Sequence, residues 1–402
     1  MWRAKQNAGQ LQRWTSPLRC ANLATMAPML IGIAGVALGL AILWDAIETV
    51  LVPRRIGRRI RLTRYFYVVT WYVWRAIARA IQKPSRREAL LGFYGPLSLI
   101  LLLVCWATGL IVAYALMHLA ATAHEGLNLE RFRTMLYLSG ETFFTLGFGD
   151  ITPTTELTRW LSVLEAGMGF AFLGTVVGYL PTMYSSFSQR EIEISLLDAR
   201  AGSPPTAAEC LSRMPAFGER ALSEDILRGW ERWSAQLLET HISYPQLAYY
   251  RSQHSNQSWL GALTAILDSS ALILARREAQ SAHQAQLTFA MARHALVDIT
   301  HIFVPRFRPG AADRLTAEEL RRLRAHLSGT PVSLPTSEEF EKLLTELRRL
   351  YEPYAQVLAQ HLLIELPPWI HAKTRPDNWR GGPWDRMLSA RAAAALPGDE
   401  HF

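Results

Sequence analysis

Cysteine is scarce in this chain: Cys20, Cys105 and Cys210 are the three in 402 residues. Three cysteines build no disulfide framework, and none stands in a CxxC or similar metal-ligand spacing. Charged residues are few, at 19% against 50% hydrophobic. That balance excludes a disordered or collagen-like chain. No GxGxxG, Walker, HExxH or Ser–His–Asp pattern occurs, so nothing supports an enzyme and no cofactor is expected. The length suggests two or three domains.

Acidic residues are scarce in one half only. The formal net charge is +8. Up to Phe187 there are 18 basic and 9 acidic residues; from Ser188 on there are 24 and 25. The basic excess therefore lies in the apolar half. That is a membrane-topology pattern, and no nucleic-acid partner is expected.

Three stretches are apolar enough to span a lipid bilayer, which takes about 20 residues in a helix. They run from Ala27 to Val52, from about Leu90 to Leu119, and from about Leu157 to Tyr184. The first could instead be a cleaved signal peptide, but acids and then arginines follow it where a small-residue cleavage site belongs. Phe132 to Leu146 is apolar but too short to cross, which suits a re-entrant segment. Residues 53–89 carry eleven Lys and Arg against the single acid Glu88, which predicts a cytoplasmic loop. The large C-terminal region is then cytoplasmic and the N-terminus outside, in a multi-pass protein of the cell (plasma or inner) membrane. The four basic residues of the tail 1–26 conflict with translocation, and a start at Met26 would remove the conflict.

Within the basic loop, Tyr65 to Ile81 is rich in Tyr and Trp and ends in cations. It reads as an interfacial helix on the inner leaflet, or else as a cytoplasmic helix packed on the C-terminal domain. Arg54 to Arg64 follow an apolar span instead of lying within one, unlike a voltage sensor. Asp45 and Glu48 share a helix face, and pairing with Arg54, Arg55 or Arg58 is expected; a gating or proton-sensing role is the alternative.

The segment Thr145-Leu146-Gly147-Phe148-Gly149-Asp150 follows the re-entrant piece. A dehydrated potassium ion needs protein oxygens in place of its water. An extended backbone can supply them if alternate residues take unusual dihedrals, which glycine does without steric penalty. Gly147 and Gly149 stand at such alternate places. Thr145 can add its hydroxyl, Leu146 and Phe148 would anchor the strand to the protein behind, and Asp150 would concentrate cations at the outer end.

This segment resembles the selectivity filter of the potassium channel superfamily, of the single-pore-loop bacterial type. Residues 90–187 follow that family's order of outer helix, pore helix, filter and inner helix, about a quarter of the chain. Glu141 stands nine residues before Asp150, where those channels have an acid that pairs with the aspartate. Arg159 stands nine after, where they have an arginine. Gly169, nineteen after, matches the gating glycine; Gly167, Gly174 and Gly178 add flexible points and Pro181 a bend. Two places depart from the pattern. Phe148 replaces a commoner Tyr, and Tyr137-Leu138 replace an aromatic pair, which implies a looser cuff around the filter. The resemblance implies a homotetramer that conducts K+ as its permeant ion, since one loop cannot encircle an ion. A non-conducting membrane scaffold or sensor, and a weakly selective cation channel, are the other readings.

Residues 188–402 are rich in helix formers, with apolar recurrence at three and four in Ala221 to Leu238 and Glu338 to Leu350. Asn256 to Ala275 is nearly apolar but carries Asp268, Ser269 and Ser270, and reads as a buried core helix. Thr336 to Glu339 looks like a helix start, and the tail after Pro367 reads as irregular. The fold class is thus all-α: a pore module, one extra N-terminal span and a cytoplasmic helical domain that would receive an unknown gating ligand. His294, Asp298 and His301 fall on one helical face and are divalent-metal candidates, although helical histidines are more often structural.

Overall fold

A computed structural model describes residues 17–50, 61–214, 220–253, 256–277, 282–304, 313–330 and 332–371. Every regular element among them is helical. The expected irregular tail after residue 371, most of the N-terminal tail, and Arg54, Arg55 and Arg58 lie outside the described residues. The chain divides into two compact units, Met1–Val73 with Pro96–Thr182, and Trp74–Gly95 with Met183–Phe402.

The first unit is built on α1 (Pro17–Val50), α3 (Pro84–Ala121) and α5 (Glu156–Ala201). All three are long and apolar enough to cross a membrane. Between them lie α2 (Leu62–Ala80) and the short α4 (Leu129–Phe143). Helices in lipid associate by close backbone approach at small residues, and α1 meets α3 in that way. A Cβ at Gly35 would stand 2.7 Å from the carbonyl oxygen of Ala113, and one at Gly109 would stand 2.4 Å from the Ile42 side chain. The first span is thus packed on the helix that precedes α4.

Asp45 and Glu48 are buried, and among the described residues each has several partners. The Asp45 carboxylate accepts the Thr63 backbone N–H at 3.1 Å and the Trp106 indole N–H at 3.1 Å. It sits at the N-terminus of α2, where the exposed N–H groups and the helix dipole favour an anion. Glu48 accepts from the Trp44 indole at 2.7 Å and lies 3.6 Å from Arg61.

The second unit packs α7 (Arg220–Ser243), α8 (Trp259–Ala275) and α9 (Ala282–Phe303) together, with α6 (Ala207–Ser212), α10 (Ala317–Leu327), α11 (Glu338–Arg349) and α12 (Glu352–Leu362) around them. α8 is the buried core helix read from sequence. Its polar interruption is satisfied from afar: Arg314 donates to Asp268 at 2.8 Å and the Tyr351 hydroxyl donates to it at 2.5 Å. Burial alone would weaken the Arg314 charge, but Asp268 beside it raises its pKa and keeps it ionised. The ends of α2, α3 and α5 are built into the same body. Arg190 of α5, buried, donates to the carbonyls of Leu247 and Tyr250 at 2.9 and 3.0 Å. Arg75 of α2 donates to the Gln360 carbonyl at 2.8 Å. Tyr94 of α3 meets Tyr249 edge-on at 5.1 Å.

Candidate functional site

The short helix α4 begins where Asn128 caps it, its side chain accepting from Arg131 N at 2.7 Å. It ends at Phe143, and the chain turns away through three bonds back into the last turn. Phe144 N donates to Gly140 O at 3.1 Å, Thr145 N to Thr142 O at 3.0 Å and Leu146 N to Glu141 O at 2.7 Å. The segment 144–150 therefore leaves directly from the helix C-terminus, the end of the dipole that favours a cation.

Along that segment the backbone hand alternates. Thr145, Gly147 and Gly149 have φ of 55°, 61° and 80°. Leu146 and Phe148 between them are not in the left-handed region. Alternating hand brings successive carbonyls toward one side, where a strand would send them to opposite sides. Gly147 and Gly149 take these angles freely. Thr145 is β-branched, and its angle is costly, by about 1–3 kcal/mol for strain of this kind. Such strain gathers at functional segments.

The seat of the segment is well packed, while its side chains are not. Phe143 is buried in a cluster with Ile42, Leu102, Trp106, Ala107 and Leu110 from α1 and α3, and lies 5.8 Å from the Phe172 ring of α5. A Cβ at Gly169 would stand 1.9 Å from Phe143 O. Gly169, taken from sequence for a hinge, is thus the point where α5 passes against the end of α4. Gly174 has open space around it, and Pro181 lies within the continuous α5. Leu146 and Phe148 are 56% and 69% exposed. Within one chain nothing among the described residues packs on them, because α4 ends before them and α5 faces Phe143.

The flanking charges are also redistributed. Asp150 accepts from the Tyr137 hydroxyl at 3.4 Å. Glu141 is buried, and its Oε2 has no hydrogen-bond partner. The expected Glu141–Asp150 bond is absent: Tyr137, one turn earlier on α4, reaches the aspartate first. Arg159 is exposed and makes no ion pair among the described residues. The divalent candidates do not converge. His294 lies 3.6 Å from Asp298, but the His301 ring turns edge-on to Tyr354. Among the described residues no group of three such side chains could hold a metal.

A buried triad escaped the sequence reading. His118 of α3 and Glu165 of α5 lie 3.3 Å apart, and Ser139 of α4 bonds to Glu165 and to the Ile111 carbonyl. The signal was available, because Glu165 is the one acid in the apolar run from Leu157 to Tyr184.

Residues 99–186 match the family model described as "Ion channel". Protein LctB of Geobacillus stearothermophilus is 30% identical over 87 residues, a match that covers 19% of this chain and 64% of that protein. The chain thus spans less than two thirds of the length of that relative. No solved structure matches. The chain therefore carries an ion-channel domain among three long apolar helices, with further helices C-terminal to it.

Proposed function

We propose that this chain is one subunit of a homotetrameric, potassium-selective channel that conducts K+ passively across a membrane. The observation that carries this reading is the left-handed backbone at Thr145, Gly147 and Gly149, alternating with Leu146 and Phe148 directly after a short helix. Carbonyls of Thr145 through Gly149, taken fourfold, replace the ion's water, and successive ions displace one another along the axis. Asp150, held by Tyr137, draws cations to the outer mouth; Glu141 and Arg159 act in support. Fourfold assembly is favoured by what one chain leaves open. Leu146 and Phe148 are bare, and 11% of the most apolar stretch of α5 is buried by its own chain.

Gating falls to α5 beyond Gly169, at Gly174 and Pro181, driven from the C-terminal helices. The Arg190 bonds to Leu247 and Tyr250 support this, since they tie the continuation of α5 to that body. The arginine-rich sequence of residues 53–89 supports a cytoplasmic position for the C-terminal helices. The exposed face of α2, with Tyr65, Val69 and Tyr72 beside Arg64 and Arg79, supports a position on the inner leaflet. Purified protein in liposomes tests the reading. Potassium flux is expected, with a reversal potential in mixed sodium and potassium that follows potassium. A reversal potential indifferent to the two ions favours a weakly selective channel, and absence of flux favours a scaffold.

A further inference from the structure

Three helices of the first unit meet at His118, Ser139 and Glu165, all 0% exposed, and carbonyl coordination of an ion at the filter uses none of them. Three contacts hold the group: His118 Nε2 to Glu165 Oε2 at 3.3 Å, Ser139 Oγ to Glu165 Oε1, and Ser139 Oγ to Ile111 O at 2.7 Å. Each contact needs one hydrogen. In a charged pair the carboxylate has none and Ser139 has one, so one of the serine's two contacts fails. His118 Nδ1 would also carry a hydrogen, and that buried atom has no partner. With an ionised Glu165 beside a neutral His118, the same serine contact fails and a lone charge is buried.

The fully neutral arrangement satisfies all three. His118 Nε2–H donates to Glu165 Oε2, the acid O–H on Oε1 donates to Ser139 Oγ, and the serine O–H donates to Ile111 O. Nδ1 is then only an idle acceptor, which costs less than an orphaned donor. Tyr114 of α3 is the other titratable side chain facing Glu165. Beside the triad's helices, α1 packs Gly32 against Ala120 and Gly35 against Ala113 of α3, and Met135 of α4 packs in a cluster with Ala115 and Leu119 of α3.

We infer that Glu165 is an un-ionised carboxylic acid which, with neutral His118, positions α4 through Ser139 and so sets the register of the filter. Ser139 adjoins Gly140 and Glu141, whose carbonyls accept the Phe144 and Leu146 N–H groups at the filter's base. The positioning half of this inference rests on the channel reading; the protonation half does not.

The test uses the full chain in liposomes as wild type, Glu165→Gln and Glu165→Leu. Glutamine reproduces the neutral pattern, its amide N–H donating to Ser139 and its oxygen accepting from His118. It should keep the wild-type potassium-over-sodium reversal potential and current decay. Leucine should speed the decay about tenfold, the scale of losing a buried hydrogen bond. Independently of conduction, the infrared difference between wild type and Glu165→Gln at neutral pH should hold the C=O stretch of an un-ionised acid. Absence of that band, or a glutamine variant as impaired as the leucine one, overturns the inference. A leucine variant with unchanged decay overturns the positioning half. If wild type conducts nothing, the channel reading fails, and the infrared band still decides the state of Glu165.

Discussion

At Gly169 a single methyl group would stand 1.9 Å from the Phe143 carbonyl oxygen, a distance no Cβ adopts. Gly169→Ala should therefore force α5 away from the end of α4. The expected cost is about 1–3 kcal/mol, as for other overpacked sites. Gly174→Ala, in open space, should change thermal unfolding of the detergent-solubilised protein little. Equal melting temperatures for the two variants would refute the packing role. Gly147 and Gly149 were legible in the sequence because their spacing alone states the backbone need. Gly169 was not: its duty depends on where α4 ends, 26 positions earlier in the chain. The unusual φ of Thr145 was hidden for the opposite reason, since a β-branched residue is the last place to expect it.

Among the elements, α2 starts on an anchor from another helix. Asp45→Leu would orphan the Thr63 and Trp106 N–H groups, at about 1–3 kcal/mol for each group left unsatisfied. Asp45→Asn keeps an acceptor and should lose less, which a pair of melting curves would show. In α7, His241 is buried against Trp259, and its Nδ1 lies 2.8 Å from the Leu237 carbonyl. Burial, helped by the Arg190 charge, lowers its pKa to about 3. Burial and the Arg75 charge lower that of His361 to about 4. Both sit below the ordinary value of about 6.5, so the unfolded chain takes up these protons first. The stability they contribute is present above pH 6.5 and is lost as the pH falls toward 4 and 3. Each histidine should contribute a slope of about 1.4 kcal/mol per pH unit in that window. His241→Phe should flatten the acid limb of the melting temperature against pH; an unchanged limb would exclude this source.

Element by element, the sequence was legible where a pattern is local. The periodic apolar residues of α7 and α11 and the polar start at Ser337 needed no knowledge of the rest. The capping box of Thr316 and Glu319 at the start of α10 was as local, and went unread because no apolar run follows it closely. The polar trio inside α8 was read as a sign of a soluble core, but its partner Arg314 lies 46 residues on and had no local signal.

For the whole molecule, the fourfold channel proposed above predicts that apolar side chains beside the 144–150 segment are covered by further copies. Leu146, Phe148, Trp160 and Phe170 are all more than half exposed. Native mass spectrometry in detergent should give four copies of the 45.3 kDa chain. A persistent monomer or dimer would count against a fourfold pore.

The sequence by itself determined three apolar spans, the short helix before the TLGFGD segment and the helical C-terminal region. Each follows from composition or spacing over a few turns of chain. Only the tertiary structure decided which groups meet: Asp45 with α2, Gly169 with Phe143, Tyr137 with Asp150, and Glu165 with His118 and Ser139. Those pairings depend on helix crossings. A crossing is set by packing among residues tens of positions apart, which no single stretch of the chain records.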